Sequence, residues 1–550
     1  MDLFLRILLI ILSFFVPFCF AGTVPWAFSI LQMGVWILLA GIFFSGRQLV
    51  ITPLLKPVLY TLGVLVAYSL LQCVATQNLL MTTAFYPATL MRLYTLEHAS
   101  CFITYLGWAF AVGQLVDSSE RAGRMVRWLG ACAVAIAISA LCLSKGEYIY
   151  KLTGIWGGYG PFLNRNHGGI FLAACTVLFL GWTCASFAKI PRDLGSARQT
   201  FWARQSWGVL VALGVGVAAV FSRSRGGLLS LSVGLCCLAV LCALIVPAVW
   251  GKRARWLVLI LLVFGSGTYW ACTHLETINR FAQRRHVHDV SIETRQMLYR
   301  AGWGILQDYP VWGIGVGALP VVVTSYLEKP ISSYVERLHS DWLEMGVGLG
   351  GVGSLLVLGG LIWFIWVIGG RFKHLEMVKK IKLAATLSAL VTICTGALAD
   401  FPFFIPATAL LFFGVLGLAC APSFWKGRIH TYQPAAWLRV LILLVMAAAC
   451  IVPLQKTLAW RMFTFGRGLK PEARFQYYRK GLSYYPGPRF ALRLGNDYYR
   501  TSLHATDPAR KEDFRKQAHQ LAAEYLRKYP REKSLSRLYT YTRDDDELSR

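Results

Sequence analysis

The stretch Tyr334–Gly370, "YVERLHSDWLEMGVGLGGVGSLLVLGGLIWFIWVIGG", sets a histidine, an aspartate and two glutamates against the opening of a long apolar run. Trp342–Gly370 is long enough to cross a bilayer as a helix, which takes about 20 apolar residues. Charge at a membrane edge is costly, so each ionisable group there needs a partner or a use.

Working outward, similar runs recur along the whole chain: Leu3–Phe20, Trp26–Phe44, Leu54–Gln72, Phe102–Val116, Trp128–Leu143, Gly169–Ala185, Ser206–Phe221, Leu228–Trp250, Leu257–Ala271, Leu383–Ala399, Ile405–Ala421 and Trp437–Pro453. The reading is an all-α polytopic membrane protein of about 12 or 13 transmembrane helices. Composition agrees: of 550 residues 56% are hydrophobic and 15% charged, with mean hydropathy +0.52. The runs lack the alternation of an outer-membrane barrel. "MDLFLRILLIILSFFVPFCFAG" has the look of a signal peptide, but the spans that follow closely favour an uncleaved first helix.

Alternate loops, from "SGRQLVITPLLK" and "DSSERAGRMVRW" to "RFKHLEMVKKIK" and "FWKGRIHTYQPAAWLR", are basic and belong in the cytoplasm. The alternation puts the N-terminus in the cytoplasm, and Cys272–Asp341 and the tail after Pro453 on the far side. The net charge of +28, from 55 basic and 27 acidic residues, therefore largely reflects positive-inside bias, and nucleic acid is not an expected partner. The surplus on the outer side suits anionic lipids or phosphate-bearing ligands. The 14 cysteines lie mostly in apolar helices without pairing patterns and read as small buried hydrophobes. Four regions follow: helices in 1–271, an exterior loop at 272–341, further helices in 342–453, and a helical tail at 454–550. In that tail "EARFQYYRKGLSYYPGP" and "RKQAHQLAAEYLRKYPRE" resemble a degenerate tetratricopeptide-type repeat, against the alternative of an irregular helical appendage.

Four clusters carry candidate chemistry. In "FSRSRGG", Arg223 and Arg225 have no acid nearby in sequence, and guanidinium groups suit phosphate; interfacial snorkelling is the alternative. In "ETRQMLYRAGWGILQDYPVWGIGVGAL", Arg295, Tyr299 and Trp303 share a helical face, as they would in an ordinary surface helix too. His339 can act as a base near neutral pH, with Asp341 or Glu344 to orient it or act beside it; a structural histidine is the alternative. In "GPFLNRNHGG", Asn164, Arg165, Asn166 and His167 offer hydrogen bonds to a polyol, or simply cap a helix. His286 and His288 lack the further ligands of a metal site. No metal and no cofactor is expected. There is no P-loop, dinucleotide fingerprint or nucleophile elbow.

Taken in order, "NRNHGGIFLA", "FSRSRGG", "TRQMLYRAGWGILQDYPVWGIGVGAL", "HSDWLEMGVGLGGVG" and the later "ADFPFFIPA" with Asp400 resemble the O-antigen ligase and polymerase superfamily of bacterial envelope enzymes, over roughly Asn164 to Ala421. The resemblance implies a metal-independent glycosyltransferase of the inner membrane, working at its periplasmic face on an undecaprenyl-diphosphate-linked glycan. Carried over, Arg225 and Arg295 bind the donor diphosphate, Arg223 assists, and His339 acts on the acceptor hydroxyl. Where many members carry an acid nine residues beyond that histidine, this chain has Gly348. The expected acceptor is lipid A-core; a growing glycan, as in a polymerase, or a protein are the alternatives. The unusual tail would recruit an acceptor or protein partner. A non-enzymatic transporter would instead place ionisable residues deep within its helices.

Overall fold

The computed structural model describes residues 1–74, 87–142, 158–187, 197–245, 290–329, 335–425, 430–529 and 533–542. The apolar runs fold as helices because only a helix satisfies its own backbone groups in a bilayer. They are α1 (Asp2–Phe18), α2 (Pro25–Phe44), α3 (Leu55–Val74), α4 (Arg92–Leu115), α5 (Ser119–Cys142), α6 (Arg165–Phe187), α7 (Ala197–Phe221) and α8 (Arg225–Ile245). After α9 (Val290–Asp308) come α10 (Asp341–Phe372), α11 (Met377–Gly396), α12 (Pro406–Cys420) and α13 (Ala436–Gly466). Among the described residues α2, α3, α5, α6, α8, α10 and α13 are long and apolar enough to cross a membrane, and Ser206–Phe221 and Pro406–Cys420 are shorter apolar helices. The protein is an all-α polytopic membrane protein. The expected span Leu257–Ala271, His286 and His288 lie outside the described residues. The thirteen described cysteines are all free thiols.

The loops gather at two opposite ends of the helices. At one end β1 (Leu49–Ile51) pairs antiparallel with β2 (His430–Tyr432), Leu49 opposite Tyr432. There Arg47 also reaches Asp2 at 3.1 Å and Asp117 at 2.6 Å. Four of the segments assigned to one side by charge, the N-terminus among them, thus share one face. α3 starts at this face and ends at the other, where Gln72 O accepts from Thr89 N–H and Ile314 O accepts from Leu90 N–H, both at 2.9 Å.

α4, α5 and α7 begin well before the expected Phe102, Trp128 and Ser206, and two further helices differ in how their backbone is satisfied. Trp342–Gly370 reads as one uninterrupted helix, whereas α10 breaks at Gly350, whose φ of 64° and ψ of −170° only glycine adopts readily. The glycine-rich turn after α9 fits into the break. Val347 O and Gly348 O accept from Ile314 N–H and Gly315 N–H at 3.0 and 3.1 Å, and Gly351 N–H donates to Pro310 O at 2.7 Å. Tyr68 Oη donates to Leu349 O at 2.9 Å and Gln72 Nε2 to Gly348 O at 3.2 Å. The carbonyls of Val347, Gly348 and Leu349 at the break thus find donors, as a membrane interior requires. A Cβ on Gly350 would stand 2.4 Å from Gly313 N.

The span expected to stop at Pro453 runs on to Gly466 within α13. Proline removes one helical hydrogen bond and frees the carbonyl four residues back. Ser100 Oγ donates to that carbonyl, Ala449 O, at 2.8 Å, so the helix tolerates the proline.

The tail forms four helices, α14 (Pro471–Tyr484), α15 (Pro488–His504), α16 (Pro508–Lys528) and α17 (Lys533–Thr542). Proline opens the first three, where its missing N–H is harmless. Phe463 from the end of α13 joins Phe475, Tyr478, Leu494 and Tyr498 in their core. The tail packs back on the site end of the membrane helices: Tyr485 stacks on Tyr94, and Arg489 pairs with Glu336.

Candidate active site

His339 immediately precedes α10. Ser340 is the N-cap, its hydroxyl accepting from Leu343 N–H at 3.4 Å, and Asp341 and Glu344 in the first turn complement the helix dipole. To enter this cap the chain turns at His339 with φ of 58°. A non-glycine residue in the left-handed region costs about 1–2 kcal/mol, so the surroundings must hold it. Tyr299 Oη donates to His339 O at 3.0 Å, and Asp341 N–H donates to Ala397 O at 3.0 Å and Asp400 O at 3.2 Å.

The carboxylate facing His339 is Asp400, in the turn between α11 and α12. Its Oδ1 lies 3.5 Å from His339 Nδ1 and 3.4 Å from His167 Nε2. Both contacts are in ion-pair range and longer than ordinary hydrogen bonds. Phe401 presents its ring to both imidazoles, with centroids at 5.0 and 4.7 Å. The side chains of Asp400 and His167 are 2% and 6% exposed and that of His339 32%, so His339 is the member a ligand reaches. Burial alone would raise Asp400, but attraction to His167 and His339 outweighs it and holds the carboxyl far below its usual range.

The other acids near His339 are occupied elsewhere. Phe403 N–H donates to Asp341 Oδ2 at 2.8 Å. Glu344 accepts from Arg337 at 2.8 Å and from Leu338 N–H at 3.1 Å. Burial would lower Arg337, yet Glu344 beside it holds the guanidinium above its usual value. Gly348 lies where α10 meets the glycine turn, and a Cβ there would stand 3.2 Å from Val316 Cα, tighter than an ordinary contact.

The remaining motifs border this cluster through α6 and Tyr299, but Arg223, Arg225 and Arg295 are not among the residues that line the cavity beside His339. Asn164 Oδ1 accepts from Asn166 N–H at 2.9 Å and caps α6, which carries His167 in its first turn; Arg165 is exposed. The arginine–glycine turn lies against that turn of α6: a Cβ on Gly227 would meet Gly169 C at 3.1 Å, so only two glycines allow so close an approach. Arg223 is exposed with φ of 51°, and Arg225, also exposed, opens α8. Arg295 is half-buried beside Tyr299, one turn along α9, and its charge opposes the rise that burial imposes on that phenol. Trp303, expected on the same face, is 57% exposed and contributes nothing here.

His339, His167, Asp341, Glu344, Asn164 and Arg165 line a cavity of about 1840 Å³. Its walls also include Glu97, His98, Arg337 and Lys456, which sequence reasoning missed. The signal for Glu97 and His98 was there, an acid–histidine pair at the edge of an apolar run, but their partners lie far away in sequence. Lys456 Nζ donates to Glu97 Oε1 at 2.5 Å, and Tyr485 Oη to Glu97 Oε2 at 2.8 Å.

Fold and site together define a multi-pass membrane protein with an acid–base cluster where its helices end. Residues 209–358 match the O-antigen ligase family, which supports the O-antigen ligase and polymerase superfamily as the family of this chain. The match covers the arginine–glycine turn, α8, α9 and the start of α10 with His339, and stops short of Asp400. No curated protein matches the chain. The family supports a glycosyltransferase of the ligase or polymerase type acting on lipid-linked glycans.

Proposed function

We propose that the protein is an O-antigen ligase-like glycosyltransferase that moves a glycan from an undecaprenyl-diphosphate carrier to an acceptor hydroxyl, with lipid A-core as the acceptor, at the periplasmic face of the bacterial inner membrane. The observation that carries this reading is the His339–Asp400–His167 cluster, whose two histidines line a large cavity, joined to the arginine–glycine turn through α6 and to Arg295 through Tyr299. The basic loops at the opposite face favour the orientation.

In this mechanism the acceptor oxygen attacks the anomeric carbon as the bond from that carbon to the diphosphate oxygen breaks. The proton of the hydroxyl passes to His339. With Nδ1 turned to Asp400, Nε2 serves as the base, and Asp400 fixes the ring and stabilises the imidazolium. Catalytic contacts are often long before substrate binds and tighten with it. Arg225 and Arg295, with Arg223 assisting, take up the charge that develops on the leaving diphosphate, a role that requires no metal.

The test is transfer by the purified full-length protein from an undecaprenyl-diphosphate glycan, with lipid A-core offered as acceptor. Glycosylated lipid A-core formed equally well in EDTA is the expected product. Longer lipid-linked glycans would identify a polymerase, product on an added protein a protein glycosyltransferase, and no turnover would overturn the enzyme reading. Activity lost in EDTA and restored by a divalent metal would overturn the metal-independent mechanism.

A further inference from the structure

His339 stands between two polar walls. One holds Asp400, His167 and Tyr299, and reaches the arginine–glycine turn through α6. The other begins at Arg337, whose guanidinium lies 3.6 Å above the Phe404 ring; the His98 ring meets the same phenyl at 5.3 Å. It continues through Glu97 to the tail.

The second wall is built largely by the tail and the extension of α13, since Lys456, Arg467, Arg489 and Arg493 all line the cavity. Their charges are not equivalent. Lys456 is matched by half-buried Glu97, and Arg489 by Glu336. Arg467 and Arg493 have no carboxylate within ion-pair distance among the described residues. Arg493 is half-buried, stacked over Tyr478 at 5.6 Å and Phe463 at 5.7 Å. Burial and the like charge of Arg467 both push its guanidinium below its usual range, with Tyr478 and Asp497 opposing. Arg467 is exposed and Arg493 half-buried, and two like charges lining one cavity favour an anion that both can reach.

Much of the rest of the lining is apolar, and Leu361 and Ile365 of α10, which belong to it, are 49% and 57% exposed on the helix surface. The space therefore suits an amphiphile with a phosphate near its head. We infer that Arg467 and Arg493 form a second anion subsite, built by the tail, that holds a phosphate group of a glycolipid acceptor while its hydroxyl faces His339. This rests on the proposed function, because the opposite wall is there assigned to the donor diphosphate. The tie from Glu97 to Lys456 and Tyr485 fixes the tail over the cavity and so sets the subsite's distance from His339.

The test is binding to the full-length protein in phosphatidylcholine nanodiscs, with bisphosphorylated lipid A and its dephosphorylated form as probes. Wild type should prefer the phosphorylated probe about tenfold. Arg467→Glu should bring the ratio to about one, Arg467→Lys should keep most of it, and Arg493→Gln should lower it. Phosphatidylglycerol should compete weakly. Equal binding of the two probes by wild type, or an unchanged ratio in Arg467→Glu, would overturn the subsite. Full competition by phosphatidylglycerol would overturn it too, by showing a general headgroup contact. Glycan transfer is measured on the same preparations. His339-dependent transfer without a phosphate preference would remove this inference alone, whereas a phosphate preference without transfer would remove the proposed reaction and leave the subsite standing.

Discussion

The two histidines of the site adjoin helices of opposite character, His167 within α6 and His339 just before α10. α6, which carries His167, is buried over 78% of its most apolar window and is packed by α7, α8 and α11. α10, which follows His339, is buried over only 11% of its window and carries a row of exposed leucine, isoleucine and tryptophan side chains. Asp400 joins the two. His339, the proposed base, thus lies where a buried helix meets one with an exposed apolar face, an arrangement suited to a substrate that arrives along the bilayer. Mutations should divide accordingly: changes in α6 should damage folding, and those on the outer face of α10 should not.

After the loss of His339, the largest expected effects concern chemistry alone. Arg225→Ala and Arg295→Ala should each lower transfer by about 10²–10³-fold with the protein inserted and its thermal midpoint nearly unchanged, as for other stabilisers of developing charge. A parallel loss of stability would make these side chains structural.

Stability should separate the helices next. Gly350→Ala combines a glycine-only conformation with a backbone clash, and Gly169→Ala drives a Cβ to 2.5 Å from Ser222 Oγ. Each should cost about 1–3 kcal/mol in detergent unfolding, against roughly 0.5 kcal/mol or less for Leu361→Ala on the exposed face. A large cost at Leu361 would mean that another element covers α10.

Acid should act through Asp400. Its folded-state pKa is depressed, so the stability it contributes is present above the unfolded value of about 3.9 and is lost as pH falls towards the depressed one. Thermal midpoints measured at neutral and acid pH should therefore fall less in Asp400→Asn than in wild type. An equal fall would show that the imidazoles do not stabilise the carboxylate.

The smallest effect tests the backbone at His339. With φ of 58°, His339→Gly should be about 0.5–1 kcal/mol more stable than His339→Ala, although both lack the base. Reversed order would mean that the turn is not strained.

The sequence showed what local pattern can carry. Apolar length revealed the helices, and ordered motifs marked the arginine–glycine turn, α9 and His339. Pairings between distant segments were invisible to it. That Asp400, rather than nearby Asp341 or Glu344, faces His339 depends on how α11 packs on α6. The break in α10 needs Tyr68 and Gln72 to supply donors, and the helix through Pro453 needs Ser100. The Glu97–Lys456–Tyr485 tie joins segments that no periodicity relates. In the tail, two helices were legible from aromatic spacing and a proline stop, whereas α15 and α17 were not.

The most direct measurement is the rate of glycan transfer by wild type and His339→Ala at equal amounts of folded protein. A loss of about 10²–10⁴-fold with an unchanged thermal midpoint is the predicted result for a general base. Transfer retained in His339→Ala would contradict the account, because no other side chain of the cluster is as open to a substrate.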